Sequence, residues 1–332
     1  MQVVTLLPHG ALRLAVTGAA GYLGAEIACL AASQGHYVRA VVKEGQHSNH
    51  LIAGTLGQGH QCCSEVLRVQ DLCEFNAALA VAEGMDAVLH AAAVFRKCDD
   101  MERKLVLPNI RIAEQMVKAC AACGSRLVLT SSMAAVRGTG QAPLNGKTFT
   151  RYDWNTVSKR DGADFEPYQF SKAESERCAW ELSRRLGCEM VSICPSMIFG
   201  PPRDGCTGLS VAMVQRWADG AAPVQNRLVV DVRDCAQSHI NAAMRPCAAG
   251  KRYITSCEAR VSAHECAEVL RRRLLQLGRA EDAACITADM DFEGGAIPIG
   301  EREVDVSHLA ELGVTCRPST TTLRDMAEAL LT

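Results

Sequence analysis

Tyr168 and Lys172 stand four residues apart, so on a helix they share one face. An ammonium beside a phenol stabilises the phenolate and draws the tyrosine below its usual value of about 10, which suits proton exchange near neutral pH. Alone, that spacing describes many surface pairs. Ser131 and Ser132 change the picture, because they follow the apolar run Leu127-Val128-Leu129-Thr130 at the end of a strand. There α/β sheets bind ligands, and a hydroxyl can hydrogen-bond a carbonyl oxygen. A phenol, a cation and a hydroxyl donor together suit proton delivery to an oxygen that is gaining negative charge.

A second group lies near the start of the chain, where Thr17-Gly18-Ala19-Ala20-Gly21-Tyr22-Leu23-Gly24 joins a short apolar run to a helical pattern. Glycines at such a turn let the backbone bend tightly, approach a pyrophosphate without a Cβ in the way, and pack the helix against the strand. The amides of the helix N-terminus then face the phosphate charge. At the end of the second strand an acid would hold the ribose hydroxyls of NAD, and a base the 2′-phosphate of NADP. The stretch Val38-Arg39-Ala40-Val41-Val42-Lys43 carries Arg39 and Lys43, which favours NADP(H) over NAD(H); Glu44 is the residue that would serve NAD if the strand ended later. Asp71 and Leu72, after the third strand, are placed to reach the adenine, or Asp71 to cap the next helix.

The elements that must position these groups alternate. Strands are expected over 13–17, 37–42, 66–69, 87–91, 126–130 and 189–194, with helices over 26–32, 75–82, 108–123 and 168–186 between them. That order gives an α/β fold, a doubly wound parallel sheet covered on both faces. Further strands at 227–232 and 252–255 flank a helix at 234–244, and the helix at 264–277 belongs to a smaller C-terminal lid. The chain therefore divides into residues 12–196 with 227–257, which bind the dinucleotide, and residues 197–226 with 258–332, which bind substrate.

The 332 residues are 48% hydrophobic and 22% charged, which describes a globular chain rather than a disordered one. With 35 basic against 37 acidic residues, nothing draws the protein electrostatically to nucleic acid or an anionic membrane surface. No apolar run reaches the roughly 20 residues of a membrane span, and Met1 to Leu14 lacks the basic start of a secretory signal. The odd count of 17 cysteines, mostly in apolar segments, fits reduced thiols in the cytoplasm. The C-x-x-C of Cys120 and Cys123 lacks the second half of a zinc site. Residues 45–61, with His47, His50 and His60, read as a loop without ligand spacing, so no metal is expected.

Taken together, these motifs resemble the extended short-chain dehydrogenase/reductases: Thr17 to Gly24 is similar to T-G-x-x-G-x-x-G, Tyr168-Gln169-Phe170-Ser171-Lys172 to Y-x-x-x-K, and Ser132 aligns with the family's serine. His90-Ala91-Ala92-Ala93 resembles the segment beside the cofactor. Ile193 to Pro201 and Val230 to His239 resemble the branch of dihydroflavonol, cinnamoyl-CoA and methylglyoxal reductases. The resemblance implies a Rossmann-type fold and NADPH-dependent reduction of an aldehyde or ketone. In that reading Ser132 polarises the carbonyl, Tyr168 protonates it, and Lys172 tunes Tyr168 and holds the nicotinamide ribose. Pro195 and Ser196 would border the nicotinamide, and Thr130 would belong to the cofactor-binding residues.

Two positions depart from the plant branches. Arg137 stands where flavonoid reductases carry asparagine, and Phe165-Glu166-Pro167 precedes the tyrosine in place of an Asn-Trp signature. Phe95, Arg96, Met133, Arg137 and Ile198 are expected around the substrate, and the two arginines would favour an anionic or polar carbonyl compound, unless neighbouring acids pair with them. The partner is thus a small carbonyl substrate, and the chain a monomer or homodimer. An NAD-dependent nucleotide-sugar epimerase or dehydratase shares every motif and is the competing reading; a silent NADP-binding regulator would have no chemical reason to keep Ser132, Tyr168 and Lys172.

Overall fold

The computed structural model describes residues 10–46, 63–95, 98–203, 206–221, 227–287 and 300–332. Strand β1 (Arg13–Thr17) leads through the glycine turn into helix α1 (Tyr22–Ser33) and on to β2 (Tyr37–Lys43) and β3 (Glu65–Val69). Then follow α2 (Phe75–Ala82), β4 (Ala87–His90), α3 (Leu107–Cys123), β5 (Arg126–Thr130) and the short α4 (Met133–Val136). Helix α5 (Glu166–Leu186) and β6 (Met190–Pro195) complete the alternation.

Seven strands form one parallel sheet in the order β3-β2-β1-β4-β5-β6-β9, the last being Arg252–Thr255. The order reverses between β1 and β4, which opens a crevice at the carboxyl ends of these strands, where the glycine turn and the segments after β4 and β5 meet. Parallel strands bury both faces, which is why β4 and β6 are apolar nearly throughout and fully buried. One core joins α1 and the helix α7 (Val232–Met244) to the sheet, and a second joins α2, α3 and α5 to its other face. Both long helices of the second face carry a proline in the first turn, Pro108 and Pro167, and end on the left-handed glycines Gly124 (φ 69°) and Gly187 (φ 68°).

A third core lies in the C-terminal region, where α6 (Leu209–Ala218), α8 (Ala263–Gln276), the short α9 (Ala280–Cys285) and α10 (Ser319–Leu330) pack around Trp217, Leu270, Leu274 and Met326. A two-stranded parallel sheet of β7 (Met197–Phe199) and β8 (Val229–Asp231) connects it to the main sheet. The strand expected over 227–232 is thus shorter, and α7 starts at Val232, because the Asp231 carboxylate caps it by accepting the Arg233 amide. Among the described residues no helix is long and apolar enough to cross a membrane, and no three His, Cys, Asp or Glu gather as a metal site. Residues 47–62, with the three histidines, lie outside the described residues.

Candidate active site

The glycine turn is built by steric need. Gly18 has φ +67°, and a Cβ there would stand 3.0 Å from the Ala92 backbone. A Cβ on Gly24 would lie 2.1 Å from the Gly18 carbonyl oxygen. Both positions let α1 and the segment after β4 close on the turn. Gly21 differs: it is the N-cap of α1, and a Cβ there would meet only Gly18 O, at 3.2 Å. No side chain caps α1, and its first turn carries no acid. The free amides thus face an open cradle, a fit for the pyrophosphate of a dinucleotide. Thr17 ties this turn to the next strand end: its hydroxyl accepts the Ala92 amide at 3.1 Å and meets His90 Nδ1 at 2.8 Å. Burial, with the Lys172 ammonium nearby, holds the His90 imidazole down at about 3, so it is neutral.

Across the crevice Ser132 ends the β5 segment and caps α4, its Oγ accepting the Ala134 amide at 3.1 Å. Its hydroxyl also hydrogen-bonds Tyr168. Ser131 turns the other way, donating to Glu176 Oε2 at 2.6 Å, which leaves Ser132 as the serine that faces the crevice. Phe95 packs edge-on against Tyr168, ring centres 4.6 Å apart. Burial pushes the Tyr168 phenol above its ordinary value, and the Ser132 hydrogen bond draws it back only in part. This corrects the expectation that Lys172 lowers it. The lysine Nζ instead donates to the Thr130 carbonyl at 3.1 Å. Burial pushes Lys172 down to about 8, against the upward pull of the Glu176 carboxylate. Thr130 is fixed from behind: His239 Nδ1 donates to the Cys235 carbonyl at 2.7 Å, so its neutral Nε2 accepts the Thr130 hydroxyl at 2.8 Å.

Three further residues support this group without having stood out in the sequence. Asn109, buried on α3, brackets Val94, accepting its amide at 2.7 Å and donating to its carbonyl at 2.9 Å; it also reaches Ser171 at 3.2 Å. The loop bearing Phe95 is thereby held beside Tyr168. Glu176 and Arg252 form a buried ion pair at 2.7 Å. A glutamate one turn beyond Lys172, on the buried face of the same helix, was the available signal, since such a charge requires a partner.

Other expected site residues go elsewhere. Arg39 is corrected: it lies midway along β2, opposite Ala15 and Glu65, the first residue of β3. Its guanidinium pairs with Glu65 and donates to the Ala80 and Glu83 carbonyls at the end of α2, away from the carboxyl edge. Lys43 ends β2 at that edge and is exposed, with Glu44 just after it. Asp71 is not the cap of α2, whose N-cap is Glu74; its carboxylate accepts the Cys73 amide at 2.9 Å, and Leu72 is buried in the second core. The Tyr22 backbone belongs to the turn, but its hydroxyl donates to the Gly200 carbonyl at 2.6 Å, and Leu23 packs into the first core. Pro195 pairs with Thr255, and the Ser196 amide donates to that threonine's carbonyl at 3.0 Å.

Met133 is buried among Val136, Phe149 and Val304 rather than lining a pocket, and Ile198 packs on the first core. Arg137 pairs at 3.2 Å with buried Glu303, which also binds Arg260, so an acid meets this arginine, contrary to its expected role toward an anionic substrate. Arg96 lies outside the described residues.

Comparison with known proteins accords with this geometry. Residues 14–254 match the NAD dependent epimerase/dehydratase family. The chain is 30% identical over 270 residues to cinnamoyl-CoA reductase 2 of Arabidopsis thaliana, covering 77% of this chain and 76% of that one. It is 26% identical over 320 residues to cinnamoyl-CoA reductase CAD2 of Medicago truncatula, covering 95% and 94%. Among solved structures, yeast methylglyoxal/isovaleraldehyde reductase Gre2 complexed with NADPH superposes with a TM-score of 0.77 at 22% identity, covering 96% of this chain and 98% of that one.

Proposed function

This chain belongs to the NAD dependent epimerase/dehydratase family, and from that premise we propose that it is an NADPH-dependent reductase that converts an aldehyde or ketone to its alcohol. The observation that carries the reading is the convergence of Ser132 at the end of β5, Tyr168 edge-on to Phe95, and Lys172 on the Thr130 carbonyl, at the carboxyl edge beside the glycine cradle. Gly18, Gly21 and the first-turn amides of α1 would hold the pyrophosphate. Ala91 to Ala93, Thr130, Pro195 and Ser196 would border the nicotinamide. Lys43 at the end of β2 supports NADP(H) over NAD(H), as does the NADPH in the yeast reductase. The reduced nicotinamide, when bound, supplies the hydride.

What the chain itself does follows from its protonation states. A proton donor must hold its proton at working pH, and burial keeps the Tyr168 phenol neutral. Ser132 donates a hydrogen bond to the carbonyl oxygen as negative charge grows there, and Tyr168 gives the same oxygen its proton. Ser132 is the group that lowers the phenol and so eases loss of its proton, while the Lys172 ammonium, which at about 8 is still mostly protonated at neutral pH, is held one turn on at the Thr130 carbonyl. Lys172 would also hold the nicotinamide ribose.

A panel of small aldehydes, diketones and hydroxyketones, assayed by loss of NADPH absorbance beside NADH, tests this. Substrate-dependent, stoichiometric oxidation of NADPH is expected. Turnover of a nucleotide sugar with no release of oxidised cofactor would favour the epimerase reading instead.

A further inference from the structure

Glu176 is fully buried, yet five N–H and O–H groups donate to it, and the Cys194 thiol lies 3.8 Å from its Oε2. Arg252 binds it through Nε and Nη2 at 2.7 and 3.0 Å, Ser131 and Ser192 donate at 2.6 and 2.5 Å, and Trp180 Nε1 at 3.2 Å. The remaining nitrogen of Arg252 donates to the Arg151 and Asp153 carbonyls at 2.9 and 2.6 Å, and its guanidinium lies 3.7 Å from the centre of the Trp154 ring. Both partners are therefore immobilised. A buried ion pair is weak as a source of stability, since apolar side chains of like volume commonly do as well. Its location is more informative: the carboxylate holds the serine next to Ser132 and sits one turn along α5 from Lys172.

We propose that Glu176 is a positioning residue of the reaction: clamped by Arg252, its carboxylate fixes Ser131, and with it the β5 end that bears Ser132, and supplies negative charge beside Lys172. The inference rests on the reading of Tyr168 and Lys172 given above. The groups around Lys172 are Tyr168 and Glu176 on α5, Cys194 on β6, His90 on β4 and the Thr130 carbonyl on β5, with Arg252 on β9 behind Glu176. Burial holds the Cys194 thiol up at about 12 and the His90 imidazole down at about 3, so both are neutral at pH 7. Burial pushes the Glu176 carboxyl up, but Arg252 and the two serines outweigh it and keep it ionised. Among these groups Glu176 is thus the anion that sustains the ammonium.

The test is Glu176→Gln, which keeps shape and an acceptor but removes the charge. The readouts are the pH profile of kcat/KM for the carbonyl substrate at saturating NADPH, and NADPH affinity at pH 6.5 by tryptophan fluorescence. The alkaline limb is expected to move down by about one pH unit, the size of one lost charge contact, while affinity changes less than threefold. A limb at the wild-type pH, whatever the rate, overturns the proposal, because a merely structural role lowers rate without moving the limb. Should Arg252, left unpaired, prevent folding, Glu176→Gln/Arg252→Gln leaves no unpaired guanidinium and must move the limb in the same direction. Tyr168→Phe, run alongside, separates the failures. If it retains wild-type turnover the reductase reading fails; if it is inactive while Glu176→Gln keeps the wild-type profile, only this inference fails.

Discussion

Gly21→Ala and Gly24→Ala add the same methyl group three residues apart, and the structure assigns them opposite consequences. At Gly24 the new carbon would lie 2.1 Å from the Gly18 carbonyl oxygen, where ordinary contact begins near 3.4 Å. Backbone must therefore shift by about 1.3 Å. Overpacking of that kind costs about 1–3 kcal/mol, a few degrees in Tm for a chain of this size. At Gly21 the backbone is extended (φ −91°, ψ 170°), which alanine adopts freely, and the methyl meets only Gly18 O at 3.2 Å. The loss there is the difference between glycine and alanine as an N-cap, about 0.5–1 kcal/mol. The methyl does, however, fill the cradle in front of the α1 amides, and NADPH affinity should fall at least about tenfold, or about 1.4 kcal/mol. Calorimetric melting and fluorescence titration with NADPH on both variants check this split. Wild-type NADPH affinity in Gly21→Ala, with an intact fold, would refute the placement of the pyrophosphate.

Three further outcomes follow from the same geometry. Ser132→Ala should lower kcat about 100-fold, as loss of a donor to a developing oxyanion does, whereas Ser131→Ala should lose less than about tenfold; the two variants assayed side by side decide which serine acts. Because Arg39 is committed to Glu65 and the end of α2, Arg39→Ala should leave the NADPH-to-NADH ratio of kcat/KM within about twofold, while Lys43→Ala should lower it about tenfold, as loss of a phosphate contact would. Lys172 is lowered from 10.5 to about 8 by burial, so between those values the unfolded chain binds more protons and stability from this residue rises with pH. The Tm advantage of Lys172→Met over the wild type should therefore shrink between pH 7 and 9, and a constant difference would contradict the assignment.

Much of the framework was legible because parallel strands are short apolar runs between helical patterns. The expected strands over 13–17, 126–130 and 252–255 and the helix over 75–82 coincide with those observed. Strand β7, with three residues, is too short to leave a pattern, and α10 begins Ser-Thr-Thr-Thr, poor helix formers, so its buried Leu323, Met326 and Ala327 did not register as periodic. At the proposed site, Ser132, Tyr168 and Lys172 stand out in the sequence because the chemistry proposed for them is encoded by type and local spacing. Arg39 misled because composition identifies a base but not which end of the strand it faces, and that was decided by Glu65 and the carbonyls of α2. Glu176 and Arg252 are 76 residues apart and meet only once β6 and β9 are paired in the sheet, so no local pattern could have joined them.

The account depends most on Tyr168 as the proton donor, and Tyr168→Phe addresses it directly, since the ring and its edge-on contact with Phe95 remain while only the hydroxyl is lost. With NADPH affinity confirmed as unchanged, carbonyl-dependent oxidation of NADPH should fall by about 10²–10⁴-fold, the range for loss of a general acid. Turnover at the wild-type rate in that variant would contradict the account.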